Sequence, residues 1–145
     1  MYKLLFLCTG NYYRSRFAEL LFNAFASEQG LSWQALSRGV ALEQGRENVG
    51  PMSPLAIQTL QALGITSAGF ARYPMAAQED DLQGAEIIIA LQEAEHRPYL
   101  QARYPAWVEK VEYWHVRDGA PTPDYDPLQE ISRAVQQLIA RLSPS

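Results

Sequence analysis

The sequence predicts an α/β fold built on a parallel sheet, and two observations carry the prediction. Short apolar runs, clearest at residues 2–7 and 85–91, alternate with longer stretches whose apolar residues recur at helical spacing. The resulting order, βαβα(α)βαβα, requires crossover connections, which lay parallel strands side by side with helices on both faces.

The first strand is expected over residues 2–7, a brief apolar run ended by Gly10-Asn11. Phe17, Ala18, Leu21, Phe22 and Phe25 form the stripe of the first helix, with Gly30 as its stop. A second strand is expected over 33–36, ending at Ser37-Arg38-Gly39. Residues 40–52 are polar and read as loop. Ser53-Pro54 then supplies an N-cap and a first-turn proline, and Ala56, Ile57, Leu60 and Leu63 make the next stripe before Gly64. Residues 69–75 read as loop and 78–83 as a short helix. The run at 85–91 is β-branched and bounded by polar residues, as a core strand should be. A helix over 92–103, broken or bent near Pro98, precedes a fourth strand at 110–116. Gly119, Pro121 and Pro123 make 118–126 a loop. Leu128, Ile131, Val135, Leu138 and Leu142 mark the last helix, with Asp126 before Pro127 as its cap. No repeat or linker interrupts the 145 residues, so one domain over 1–145 is expected.

Composition narrows the function. Net charge is −4 with no Lys/Arg-rich block, which argues against nucleic acid as the main partner. No apolar run is long enough to span a bilayer, and the start lacks the pattern of a secretion signal, so the cytoplasm is the expected compartment. One cysteine excludes an internal disulfide, and two histidines without evident partners give no metal site.

The informative segment is Cys8-Thr9-Gly10-Asn11-Tyr12-Tyr13-Arg14-Ser15. It lies between a strand and a helix, at the carboxyl end of the sheet, where α/β folds place ligands. Five residues between Cys8 and Arg14 can curl so that successive amides face inward and cradle an oxyanion. Gly10 and Asn11 tolerate the positive φ that such a nest needs. The helix N-terminus adds positive potential, and a guanidinium grips two phosphate oxygens at once. The same donors favour a thiolate, the nucleophilic form of cysteine, with Ser15 placed to hydrogen-bond it.

Cys-x-Gly-Asn-x-x-Arg-Ser at 8–15 resembles the low-molecular-weight protein tyrosine phosphatase family, and the element order extends the likeness over nearly the whole chain. Ser37-x-Gly39 and Trp114-x-Val116-x-Asp118 add local similarity. The resemblance implies a three-layer, four-stranded parallel sheet of order 2-1-3-4. It implies that Thr9 to Ser15 bind phosphate, that Cys8 attacks phosphorus and that Arg14 holds the equatorial oxygens. Asp118 would be the general acid, preferred over Asp124. Asn11, Ser15 and Ser37 would support the loop, and no cofactor or metal is implied. The expected substrates are a phosphorylated protein or a small phosphate ester, with inorganic phosphate as product.

The chain departs from the family pattern at several positions. Tyr12 and Tyr13 replace a common aliphatic residue and a frequent second cysteine. Both are expected at the loop rim, where they pack or narrow the mouth. Arg16 stands where proline is common, and adds positive potential or is solvated. Gly119 follows Asp118 in place of proline, without the usual tyrosine pair, while Tyr125 is a substitute aromatic or a loop anchor. Gly69 falls where the family often has histidine. Glu93, Glu95, Arg97 and Arg103 are expected to form a solvated helix face. Two alternatives stand beside phosphotyrosine or aryl phosphate hydrolysis. One is arsenate reduction with an external small thiol, and the other is a non-catalytic phosphate- or phosphotyrosine-binding module.

Overall fold

A computed structural model describes residues 1–144 and contains the expected parallel sheet, with strand order β2-β1-β3-β4. Its strands are β1 (Tyr2–Cys8), β2 (Trp33–Gly39), β3 (Ile87–Ala90) and β4 (Glu112–Tyr113). The helices are α1 (Arg14–Glu28), α2 (Pro54–Ala62), α3 (Glu79–Gln83), α4 (Glu93–Arg103) and α5 (Pro127–Leu142). Short 3-10 turns at Leu42–Gly45 and Ala68–Ala71 lie in the stretches read as loop.

Strand β1 is central, pairing with β2 from Tyr2 to Cys8 and with β3 from Leu4 to Leu7. Its side chains alternate between two cores. Leu4, Phe6 and Cys8 join α1, α2 and α5 in one buried cluster, while Leu5 and Leu7 join Leu82 of α3 and Leu100 of α4 in the other. A strand covered on both faces has no polar alternation to show, which explains the unbroken apolar run. Phe6 packs edge-on to Phe22, with ring centroids 6.4 Å apart, and Trp114 lies against its ring at 5.7 Å.

Several boundaries differ from expectation. Helix α1 begins at Arg14, three residues before its apolar stripe, because the loop turns directly into helix. Strand β2 continues through Ser37-Arg38 to Gly39, since β1 pairs with it that far. Strand β3 is trimmed to four residues. The expected strand at 110–116 keeps a regular ladder only at Glu112–Tyr113. Beyond it the chain still bonds to the sheet, from Trp114 N to Ala90 O and Val116 N to Leu91 O, while bending past the sheet's end. Helix α4 passes through Pro98 unbroken. Ser53 and Asp126 cap α2 and α5 as expected, Asp126 accepting from Leu128 N and Gln129 N.

Candidate active site

Residues 9–13 form a closed loop between β1 and α1 with its carbonyls turned outward. Cys8 O accepts from Val40 N, Thr9 O from Ala41 N, and Tyr12 O from Ser53 N. Asn11 O accepts from Arg16 Nη1. The amides of residues 9–13 donate to nothing among the described residues. Helix α1 has no side-chain cap and no acid in its first turn. Paired carbonyls and uncommitted amides at an uncapped helix start are the groups from which an anion nest is built.

Asn11 is the only non-glycine with positive φ among the described residues, at 53°. Its amide group is held on every side. Nδ2 donates to Ser15 Oγ (2.9 Å) and Ser37 Oγ (3.0 Å), while Oδ1 accepts from Arg72 Nη1 (3.1 Å) and Met75 N (3.0 Å). Ser37 in turn donates to Glu19 at 2.6 Å. Gly39 lets the end of β2 lie against this turn: a Cβ there would sit 2.8 Å from Thr9 O and 2.6 Å from Leu42. Of the residues expected as loop support, Asn11 is thus directly bonded to both Ser15 and Ser37.

Cys8 Sγ lies 2.9 Å from Ser15 Oγ, buried at the base of the loop. Arg14 is also buried. Its Nη1 donates to Val116 O (2.9 Å) and Gln92 Oε1 (3.1 Å), and Nη2 to Glu95 Oε2 (2.7 Å). Burial opposes its charge, but Cys8, Glu95 and Asp118 outweigh burial and hold the guanidinium more firmly protonated than usual. Nε and the second Nη2 proton remain for a bidentate contact.

Asp118 Oδ1 stands 3.6 Å from Arg14 Nε, on a side chain about two-thirds exposed. It shares a cavity of about 400 Å³ with Cys8, Thr9, Gly10, Tyr12, Tyr13, Arg14, Glu95 and Tyr99. Asp124 lies elsewhere, in a separate hollow with Tyr125 and Asp126. Tyr12 and Tyr13 both line the cavity wall; Tyr12 is tied by its hydroxyl to Val49 O at 2.6 Å. Tyr125 is a loop anchor: its hydroxyl accepts from Arg117 N at 3.2 Å and its ring lies under the Arg117 guanidinium.

Three expectations need correction. Glu95 is not on a solvated face. Its Oε2 accepts from Arg14 and from Thr9 Oγ1, with His96 Nε2 at 3.3 Å. Burial pushes its carboxyl up, but these bonds outweigh burial and hold it well below the usual carboxylate range. Second, His96 has partners after all. Its Nδ1 accepts from Gln92 N (3.0 Å), which leaves the proton on Nε2, beside Thr9 Oγ1 at 3.1 Å. Burial holds it towards the neutral form. Third, Arg16 is not solvated, although its charge is felt at Cys8. It is 1% exposed and donates to the carbonyls of Asn11, Pro51, Gly69 and Arg72. Arg72, which sequence reasoning did not single out, provides the loop support that Gly69 lacks. The available sign for Glu95 was position, in the first turn of the helix after β3, at the sheet's carboxyl end.

The chain matches the family described as low molecular weight phosphotyrosine protein phosphatase over residues 3–144. It resembles the crystal structure of a low molecular weight protein tyrosine phosphatase from T. tengcongensis, with TM-score 0.80 and 29% identity over 98% of this chain and 100% of that one. Wzb from Vibrio vulnificus, solved in complex with benzylphosphonate, is similar at TM-score 0.76 and 19% identity, covering 97% and 99%. A thioredoxin-dependent arsenate reductase of Corynebacterium glutamicum shares the fold at TM-score 0.67 and 20% identity, covering 98% of this chain and 62% of that one. Comparison with curated proteins gave no match.

Proposed function

Because the chain belongs to the low molecular weight phosphotyrosine protein phosphatase family, we propose that it hydrolyses phosphotyrosine or small aryl phosphates through a phosphocysteine intermediate. The observation that carries this reading is the loop itself, with its outward, paired carbonyls and uncommitted amides closing around Cys8 and Arg14.

In the first step Cys8 Sγ attacks phosphorus, an S–P bond forms and the P–O bond to the leaving group breaks. Asp118 gives its proton to the departing oxygen. Arg14 and the amides of 9–13 hold the equatorial oxygens as charge moves, so the site acts chiefly by positioning and electrostatics. Water then attacks the phosphocysteine and gives a proton to the Asp118 carboxylate. The S–P bond breaks, inorganic phosphate leaves and the thiolate is restored. Ser15 accepts from Asn11, so its own hydroxyl proton is available to the sulfur in both steps.

Tyr12, Tyr13 and Tyr99 give the cavity aromatic walls, which suits an aryl group. The benzylphosphonate bound by the Vibrio protein is of that chemical kind. Substrates would be phosphorylated proteins or small esters, encountered in the cytoplasm. Among the described residues no helix is long and apolar enough to cross a membrane. With Cys8 as the one cysteine of the sequence, arsenate reduction would need an added thiol, whereas ester hydrolysis needs only water.

The test is turnover of para-nitrophenyl phosphate by reduced protein across acidic and neutral pH, with acid quenching to trap the phosphorylated Cys8 peptide. Activity lost in Cys8→Ser, with an adduct on Cys8 in the wild type, supports the reading. Phosphate binding without turnover would mark a binding module. Arsenate-dependent oxidation of an added thiol without ester hydrolysis would mark a reductase.

A further inference from the structure

Two polar groups of the cavity wall have no hydrogen-bond partner among the described residues. One is the Tyr13 hydroxyl, whose oxygen is buried. The other is the Asp118 carboxylate, whose nearest cation, Arg14 Nε, stands at 3.6 Å. A buried hydroxyl left unpaired is destabilising, so a native example calls for a reason. Tyr13 is the residue on which α1 starts, directly before Arg14.

The charged and titratable groups whose fields reach its hydroxyl come from three places: Arg14 on α1, Asp118 and Tyr125 in the loop after β4, and Asp126 at the head of α5. Asp126 is committed, since its Oδ1 caps α5. Tyr125 is engaged with Arg117 N and with the Thr122 turn. Asp118 alone of these acids has no hydrogen bond among the described residues, only the long ion pair to Arg14. It lies between the anchored Val116 and the anchored Tyr125, next to Gly119 at φ 109°, a conformation that lets the chain turn there.

We propose that Tyr13 is a positioning residue whose hydroxyl donates to the Asp118 carboxyl when substrate enters, so that the carboxyl's other oxygen faces the leaving group. This rests on Asp118 as the general acid. Asp118 arrives protonated, with its O–H towards the ester oxygen and its carbonyl oxygen on Tyr13. After the proton leaves, the Tyr13 hydroxyl stays on the carboxylate and keeps it aimed at the attacking water. Burial, then Asp126 and Asp118, raise the Tyr13 phenol to about 12, so it remains a donor throughout the working range.

The experiment compares wild type, Tyr13→Phe, Asp118→Asn and the double variant on two substrates. Phenyl phosphate needs its leaving oxygen protonated, whereas 2,4-dinitrophenyl phosphate does not. Asp118→Asn should lose about 100-fold in kcat on phenyl phosphate and little on the dinitrophenyl ester. Tyr13→Phe should lose about tenfold on phenyl phosphate only, the scale of one hydrogen bond. It should add nothing in the Asp118→Asn background. Its melting temperature should equal or exceed that of the wild type, because the hydroxyl it removes is unpaired in the resting protein. Equal losses on both esters, or losses that multiply with Asp118→Asn, would assign Tyr13 to packing and overturn the proposal. If Asp118→Asn itself shows no dependence on leaving group, the assignment of Asp118 as the acid fails instead.

Discussion

Arg14 and Glu95 meet at 2.7 Å, joining the start of α1 to the first turn of α4. The residue proposed to grip phosphate is therefore held by an anion that itself lines the cavity. Two effects oppose each other there: the carboxylate fixes the fork, and its charge repels an incoming dianion. Glu95→Gln keeps an acceptor and removes the charge, so inorganic phosphate should inhibit about fivefold more tightly. Glu95→Ala removes both, and kcat should fall about tenfold as the guanidinium loses its aim. Steady-state kinetics with phosphate as competitor separates these outcomes. Unchanged inhibition in Glu95→Gln would show that the charge is already neutralised by Arg14.

The same carboxyl links stability to pH. Its folded-state pKa lies below the ordinary value of 4.5 because the bonds from His96, Arg14 and Thr9 outweigh burial. The unfolded chain then binds the proton more readily, so the contribution is present above the ordinary value and is lost as pH falls. Between about pH 5 and pH 2 the wild-type melting temperature should fall more steeply than that of Glu95→Gln. Parallel curves would mean that Glu95 is not held in this way.

Asp118 and Asp124 are six residues apart in one loop, yet only Asp118 reaches the cavity. Asp118→Asn should cut kcat about 100-fold with para-substituted phenyl phosphates of poor leaving ability. Asp124→Asn should leave kcat within about twofold, as surface changes away from a site do. The reverse pattern would move the acid.

Arg72 is tied to Asn11, Ser37 and Glu19. Replacing it by Met removes one of the two donors to Asn11 Oδ1, Ser37 Oγ and Glu19 Oε1, a loss of about 2 kcal/mol. Asn11 would then relax from its left-handed conformation and the nest would open. Arg72→Met should therefore also gain less thermal stability than the wild type at the same phosphate concentration. If phosphate stabilises both proteins equally, Arg72 serves the fold and not the loop.

The segment from Cys8 to Ser15 was legible because its chemistry is local: glycine, asparagine and the strand-to-helix turn are neighbours in sequence. The caps at Ser53 and Asp126 were legible for the same reason. Glu95, His96, Arg16 and Arg72 were not, since they work through contacts distant in sequence. Arg14 and Glu95 are 81 positions apart, and neither residue signals the other. Helical phase also misled. Glu93 and Arg97 share a face and pair there at 2.9 Å. Glu95, about 200° further round the helix, turns the opposite way. The burial of Arg16 was not legible because burial of a guanidinium requires several carbonyls converging from other loops, and no single stretch of sequence displays that convergence.

The alternation along β1 decides where the proposed nucleophile is placed. Leu4, Phe6 and Cys8 face α1, whereas Leu5 and Leu7 face the opposite core. The thiol meets the start of α1 because Cys8 is an even number of steps from Leu4. Adding or deleting one residue in that run would reverse every side chain after the change. Cys8 would then emerge on the α4 side, away from Ser15, with the motif itself intact. Strand length is a parity setting for the chemistry, and the residues before the motif fix it as firmly as those within it.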